Sequence, residues 1–264
     1  MNLYSTEFVI LAGGCGTRLK VDLPKPVVKL GGKPMLLHIL EMIHMLNPSE
    51  EIIISSSLRN MRAIKRMVNI PVKAVFCRQM KPSGTADAVR NVLRKIEIEE
   101  KNVLVILADR PLTKAGTIEK LIKKHIQTNS MITMLTSKVP NYDGFYRQVY
   151  YDGRIIRDSK GNIVGNLETN ELSDREMNEN MEVYPSTYIY NKDWLKENIE
   201  KIKKNPEKGE YYLTQMVNIA RSQGEKVNSL TIDASETLGV NTQEQLTAAE
   251  EVLRARARSG EEQL

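Results

Sequence analysis

The sequence predicts an α/β protein built on a parallel, doubly wound sheet. Short apolar runs recur at 9–11, 52–54, 72–76, 103–107 and 131–135. Helix-patterned segments at 33–46, 58–68, 85–95 and 116–127 separate them. Fully apolar strands alternating with helices bury both faces of a sheet, which favours parallel pairing.

The first run, 9–11, breaks into Gly13, Gly14, Cys15 and Gly16, followed by Thr17, Arg18 and Lys20. A strand that ends in glycines presents backbone N–H groups with no side chains in the way. Arg18 and, after Leu23-Pro24, Lys25 add positive charge beside that loop. A planar fork of donors and a compact ammonium both suit phosphate. The loop therefore reads as a candidate nucleoside triphosphate site. The plainer alternative is a tight strand-to-helix turn with two exposed basic residues. No Lys-Ser or Lys-Thr closes the loop as in a P-loop, and Leu19 stands where a dinucleotide fingerprint has its last glycine.

The helix at 33–46 is nearly continuous in Met and Leu, which marks it for burial against the sheet. The run 72–76 leads to Arg78, Gln79 and Pro82-Ser83-Gly84-Thr85, and 103–107 leads to Ala108-Asp109-Arg110. Ligands of open α/β sheets sit beyond the carboxyl ends of the strands, so these loops converge on one expected crevice. An Asp at a strand end beside a phosphate loop is a natural Mg²⁺ ligand, and otherwise a turn or cap residue.

After Pro140 the rhythm changes. Hairpin pieces span 142–168, with turn signals at Asp152-Gly153 and Lys160-Gly161. A strand is expected at 182–190, helices at 192–203 and 211–222, a strand at 227–232 and a charged helix at 242–258. The tail at 259–264 is expected to fray. We read a single domain, with a nucleotide-binding half at about 6–137, a second half at about 138–241, and a C-terminal helix and tail at 242–264.

The chain has 264 residues, a net charge of +5 and two cysteines. The charge suits anionic substrates, but the basic residues are dispersed and not interleaved with aromatics, which argues against nucleic acid. No run is long and apolar enough to span a bilayer, and the N-terminus lacks a secretion signature. Cys15 and Cys77 read as reduced thiols of a cytoplasmic protein, with Cys15 a small residue in the turn and not a nucleophile. His38, His44 and His125 fall in helices and read as structural. Alternating Glu and Arg in the last helix offer a surface for a possible homo-oligomer; a solvated face is the plainer reading.

The chain resembles the sugar-nucleotidyltransferase family, nearest to N-acetylglucosamine-1-phosphate uridylyltransferases. Five blocks carry the resemblance. They are Leu11-Ala12-Gly13-Gly14-x-Gly16-Thr17-Arg18-Leu19 with Leu23-Pro24-Lys25, then Gln79 with Gly84-Thr85, then Leu107-Ala108-Asp109. Gly209-Glu210-Tyr211-Tyr212-Leu213-Thr214 and Gly239-Val240-Asn241 complete the set. The resemblance implies a Rossmann-like, mixed and mostly parallel sheet with a small β-rich sugar-binding insertion. It implies transfer of a nucleotidyl group from an NTP, UTP foremost, to a sugar 1-phosphate with Mg²⁺ as cofactor. Arg18, Lys25 and Asp109 take the catalytic roles. Leu11 to Gly14, Gly16, Thr17, Gln79, Gly84 and Thr85 bind the nucleotide. Asp109 and Asn241 hold Mg²⁺. Gly153 and Glu168 contact the sugar, and Tyr184 stands where the family has a sugar-contacting Asn.

Tyr184 and Gln215, the latter in place of a usual Asp, are departures that bear on the sugar. Glucose 1-phosphate as acceptor, or dTTP or GTP as donor, are alternatives within the same chemistry. A non-catalytic nucleotide-sugar sensor is the alternative from another class. Such a sensor is expected to lose Arg18, Lys25 or Asp109, and all three are present.

Overall fold

The computed structural model describes residues 5–14, 16–46, 51–69 and 71–260. Cys15 and the last four residues of the tail lie outside the described residues. Strand β1 (Thr6–Leu11) opens the chain, and a two-stranded ribbon, β2 (Lys29–Leu30) and β3 (Lys33–Pro34), precedes helix α1 (Met35–Leu46). Then come β4 (Glu51–Ser56), α2 (Leu58–Met67), β5 (Lys73–Arg78), α3 (Thr85–Lys95), β6 (Asn102–Leu107), α4 (Ala115–Thr128) and β7 (Ile132–Lys138). The alternation expected from the apolar runs is present at each of these strands and helices.

β5, β4, β1 and β6 lie side by side in that order, all parallel. Residues alternate strictly across β1. Val9 and Leu11 enter a core with α3, and Phe8 and Ile10 enter a second core with α1, α2 and α4. A sheet buried on both faces needs this apolar continuity, and it explains why the strands show no polar alternation. Helix α1 buries Met35, Leu36, Ile39, Leu40, Met42 and Ile43, as its composition predicts.

The second half begins with a 3-10 turn over Gly144–Val149, where a hairpin piece was expected. Strands β8 (Arg154–Arg157) and β9 (Ile163–Leu167) form the hairpin, followed by α5 (Asp174–Glu179). Helix α5 was not anticipated, although Ser173 and Glu176 supply a reciprocal capping box. The single strand expected over 182–190 is two strands, β10 (Glu182–Val183) and β11 (Tyr188–Asn191). Pro185 lacks an N–H for the ladder, and Ser186 adopts φ 55°, so pairing stops between them.

Helices α6 (Lys192–Asn198) and α7 (Gln215–Ser222) follow, then β12 (Val227–Thr231), the short α8 (Ala234–Thr237) and α9 (Gln243–Ser259). Helix α7 starts four residues later than expected because Tyr211 pairs with the backbone at the start of α3 and Leu213 and Thr214 form a turn. Tyr211 N–H donates to the Ser83 carbonyl and its own carbonyl accepts from Ala86, at 2.8 and 2.9 Å.

β11 runs antiparallel between β6 and β7. β12 pairs parallel along β7, and β10, β8 and β9 extend the sheet in antiparallel order. The sheet is thus mixed, with a parallel body and a small β-rich extension. Helix α9 packs Leu246, Ala248 and Ala249 against Leu19, Leu30 and Val240, so one face is internal and not solvated. No helix among the described residues is long and apolar enough to cross a membrane.

Candidate active site

The glycine loop leaves β1 and is held in place from β4 and α2. Ala12 N–H donates to the Ser55 carbonyl at 2.8 Å. Asn60 Nδ2 donates to the carbonyls of Ala12 and Gly14 at 2.8 and 2.9 Å, and Ser56 Oγ donates to Ala12 at 2.9 Å. Carbonyls held from behind in this way leave the loop's open side to a ligand. Sequence reasoning missed Asn60 and Ser56. An Asn on the first turn of an otherwise basic helix carries no local signal of this role, which only the tertiary contacts show.

Two glycines make room for specific side chains. A Cβ on Gly13 would lie 2.9 Å from Gln79 Oε1, and one on Gly16 would lie 3.2 Å from Lys25 Cβ. Gly16 also adopts φ 70°, which favours glycine. The loop therefore closes on Gln79 and Lys25. Gln79 Nε2 donates to Asp87 at 3.3 Å, which orients the amide at the cavity wall.

Lys25 begins a 3-10 turn, Lys25–Val27, between Pro24 and Pro26. The prolines fix the backbone and direct the lysine inward, where it is 8% exposed. Its Nζ lies 2.5 Å from Asp109 Oδ2 and 2.7 Å from Asn241 Oδ1. Arg18 donates to the same Asn241 oxygen at 3.0 Å. Asp109 lies two residues beyond the end of β6, and its carbonyl accepts from Val240 N–H at 2.9 Å, which sets Asn241 beside it. Four residues from three distant segments thus meet at one point.

Burial pulls the Lys25 ammonium below the usual lysine range, against the raising effect of Asp109. Burial also raises the Asp109 carboxyl, but the charges of Lys25 and Arg110 outweigh it and hold the group below its ordinary value. Lys25 and Asp109 form the salt bridge at the centre of the site.

A cavity of about 470 Å³ opens between these loops, lined by Leu11 to Gly14, Arg18, Lys25, Gln79, Asp109 and Asn241 among others. Gly16, Thr17, Gly84 and Thr85 also line it. Thr85 turns its hydroxyl to accept from Leu213 N–H at 2.9 Å. Gly84 adopts φ 106°, and a Cβ there would lie 2.7 Å from Tyr211 N. Glu210 and Tyr212 of the Gly-Glu-Tyr-Tyr block complete the wall.

The expected sugar residues are not brought into that cavity. Glu168 lines a neighbouring hollow that shares Tyr212 with it. Tyr184 is 1% exposed and packs under Gly153, where a side chain would collide with the ring. Its hydroxyl donates to Glu168 Oε1 at 3.1 Å and accepts from Asn166 Nδ2 at 3.2 Å. Tyr184 therefore reaches the hollow through Glu168 and not by its own surface. Burial pushes the Glu168 carboxyl up, opposed by hydroxyls of Thr214 and Tyr184. Gln215 bonds the backbone of Lys203 in both directions, at 3.1 and 2.8 Å.

Among the described residues no three His, Cys, Asp or Glu side chains cluster as a metal cage. The donor set still fits Mg²⁺, which is commonly held by one or two protein oxygens with phosphates and water completing the shell. Asp109 Oδ1 is buried without a hydrogen-bond partner, and Asn241 offers an amide oxygen beside it.

This fold and this site define a class. The chain belongs to the nucleotidyl transferase family, whose model matches residues 7–240. Among curated proteins it is 33% identical over 249 residues to the bifunctional protein GlmU of Streptococcus gordonii, covering 94% of this chain and 52% of that one. It is 32% identical over 248 residues to the bifunctional protein GlmU of Thermoanaerobacter pseudethanolicus, covering 94% and 51%. The chain spans about half the length of these relatives. Among solved structures, HddC from Yersinia pseudotuberculosis complexed with GMP-PN superposes with a TM-score of 0.65 at 21% identity, covering 94% and 99%. The CMP:2-keto-3-deoxy-manno-octonic acid synthetase complexed with CTP gives 0.65 at 15%, covering 95% and 99%. At such identities these two share the fold alone.

Proposed function

We propose that this chain transfers a uridylyl group from UTP to N-acetylglucosamine 1-phosphate, giving UDP-N-acetylglucosamine and pyrophosphate. The convergence of Lys25, Arg18, Asp109 and Asn241 beside the glycine loop is the observation that carries the reading. The family membership supports nucleotidyl transfer, and the resemblance carried by the Gly-Glu-Tyr-Tyr-Leu-Thr and Gly-Val-Asn blocks supports the choice of pair. Small-molecule substrates and a cytoplasmic setting belong to the same reading.

A phosphate oxygen of the sugar phosphate attacks the α-phosphorus of UTP. The bond from that phosphorus to the bridging oxygen breaks, and pyrophosphate leaves with the electron pair. The nucleophile is ionised at neutral pH, so no general base is needed. The barrier is the approach of two anions, and fixed positive charge in a partly dry cleft lowers it. Lys25, buried and pre-oriented, supplies that charge near the reacting phosphates, and exposed Arg18 supplies it toward the leaving group. Loop N–H groups and Gln79 orient the nucleotide, which lowers the entropic barrier to in-line attack. Mg²⁺ held by Asp109 and Asn241 would supply further neutralisation of phosphate charge when bound.

A different acceptor is the second reading, favoured by Tyr184 filling the space under Gly153. Pyrophosphate release separates the two, with UTP, dTTP, GTP, CTP and ATP each set against N-acetylglucosamine, glucose and mannose 1-phosphates. Release confined to UTP with N-acetylglucosamine 1-phosphate supports the proposal. Release with another acceptor moves the reading to that sugar.

A further inference from the structure

Arg110 is a buried cation that the transfer mechanism above does not use. It is 6% exposed. Its terminal nitrogens grip the Asp152 carboxylate at 3.0 and 2.8 Å, and one also donates to the Thr237 carbonyl. Its Nε lies 4.0 Å from Asp109 Oδ1. The guanidinium rests on Gly239, where a Cβ would come within 2.8 Å of Cζ. Asp152 adjoins Gly153 at the head of the β8–β9 hairpin, and Thr237 and Gly239 lead into Asn241. One side chain therefore joins the strand end that bears Asp109, the loop that bears Asn241 and the hairpin of the sugar-side half.

A bidentate guanidinium–carboxylate pair fixes orientation as well as distance, which a lysine does not. Buried ion pairs add little stability over apolar side chains of the same volume, so stability alone is a weak reason for this one. We propose that Arg110 is a positioning residue for nucleotidyl transfer, and that its fork on Asp152 sets the acceptor-side hairpin against the Asp109–Asn241 pair. The inference rests on the transfer reading above.

Three proteins test it: wild type, Arg110→Lys, and the double variant Arg110→Met with Asp152→Leu. The double variant replaces the buried pair by apolar side chains, so no lone charge is left to unfold the chain. Steady-state rates are measured with whichever substrate pair wild type uses, together with NTP affinity by calorimetry and the melting temperature. The proposal expects kcat to fall about 10–100-fold in both variants, the range typical for partners of metal ligands. It expects KM for the sugar phosphate to rise and NTP affinity to stay within about two-fold. It also expects the double variant to melt near wild type while its turnover remains low. Variants that keep wild-type kcat and KM overturn the proposal, as does a double variant whose activity returns with its stability. Wild type inactive on every pair contradicts the transfer reading and this proposal with it. Active wild type with unaltered variants overturns this proposal alone.

Discussion

Lys25 Nζ and Asp109 Oδ2 lie 2.5 Å apart, joining the loop after β1 to the end of β6. Their side chains are 10% and 19% exposed, so each is the other's counter-ion in a largely dry setting. The pair makes the site's electrostatics interdependent. Removing Asp109 leaves Lys25 buried without its counter-charge, whereas removing Lys25 leaves Asp109 beside Arg110.

Asp109→Asn is therefore expected to harm both stability and turnover. Loss of one partner from such a pair costs about 3 kcal/mol. The rate of pyrophosphate release should fall about 100- to 1,000-fold, as for removal of a preorganised electrostatic group. Urea denaturation and a coupled pyrophosphate assay read the two effects separately. Lys25→Met should lower the rate similarly with a smaller loss of stability, because Arg110 still faces Asp109, and a normal rate in either variant contradicts the assigned site.

Gly84→Ala tests the cavity wall. Its φ of 106° suits only glycine, and an added Cβ would press on the Tyr211 backbone. The expected cost is on the order of 1–3 kcal/mol. Because the strain falls on the segment before α7, nucleotide affinity should drop as well. Thermal melting and UTP titration check both.

Tyr184→Phe removes one hydroxyl and little volume. Glu168 then loses a donor in a site where burial already pushes its carboxyl up. A buried hydrogen bond contributes about 1 kcal/mol net. KM for the sugar phosphate should rise at least several-fold while KM for the NTP stays constant. Equal changes in both would place Tyr184 outside acceptor recognition.

His125 makes stability pH-dependent. Burial lowers its pKa from 6.5 to about 4, and its Nδ1 lies 3.0 Å from Thr133 Oγ1. The unfolded chain takes up a proton below pH 6.5 that the folded chain refuses until about pH 4. Stability associated with this group is thus present above pH 6.5 and is lost as pH falls toward 4, at up to about 1.4 kcal/mol per unit. Urea midpoints at pH 7 and pH 5 should converge less in wild type than in His125→Gln. That variant should show a shallower fall.

Much of this was legible in the residues. The parallel body follows from apolar runs that a two-sided core requires. Lys25 and Asp109 were recognisable because glycines, prolines and strand ends are local signals, and Asn241 only through the Gly-Val-Asn block of the resemblance. The break at Pro185-Ser186 was not read, although proline and a left-handed residue explain it. Asn60, which holds the loop by two carbonyls, and Arg110, which spans three segments, act only through tertiary contact. Their neighbours in sequence say nothing of their partners. The substitution at Tyr184 was visible in the sequence, but its burial under Gly153 depends on a hairpin packed from another part of the chain.

Phosphorus NMR of the protein with UTP, N-acetylglucosamine 1-phosphate and Mg²⁺ tests the central claim most directly. The account predicts pyrophosphate and UDP-N-acetylglucosamine in equal amounts, with loss of both signals in Lys25→Met. UTP that stays unchanged, or is hydrolysed without forming the nucleotide sugar, would contradict it.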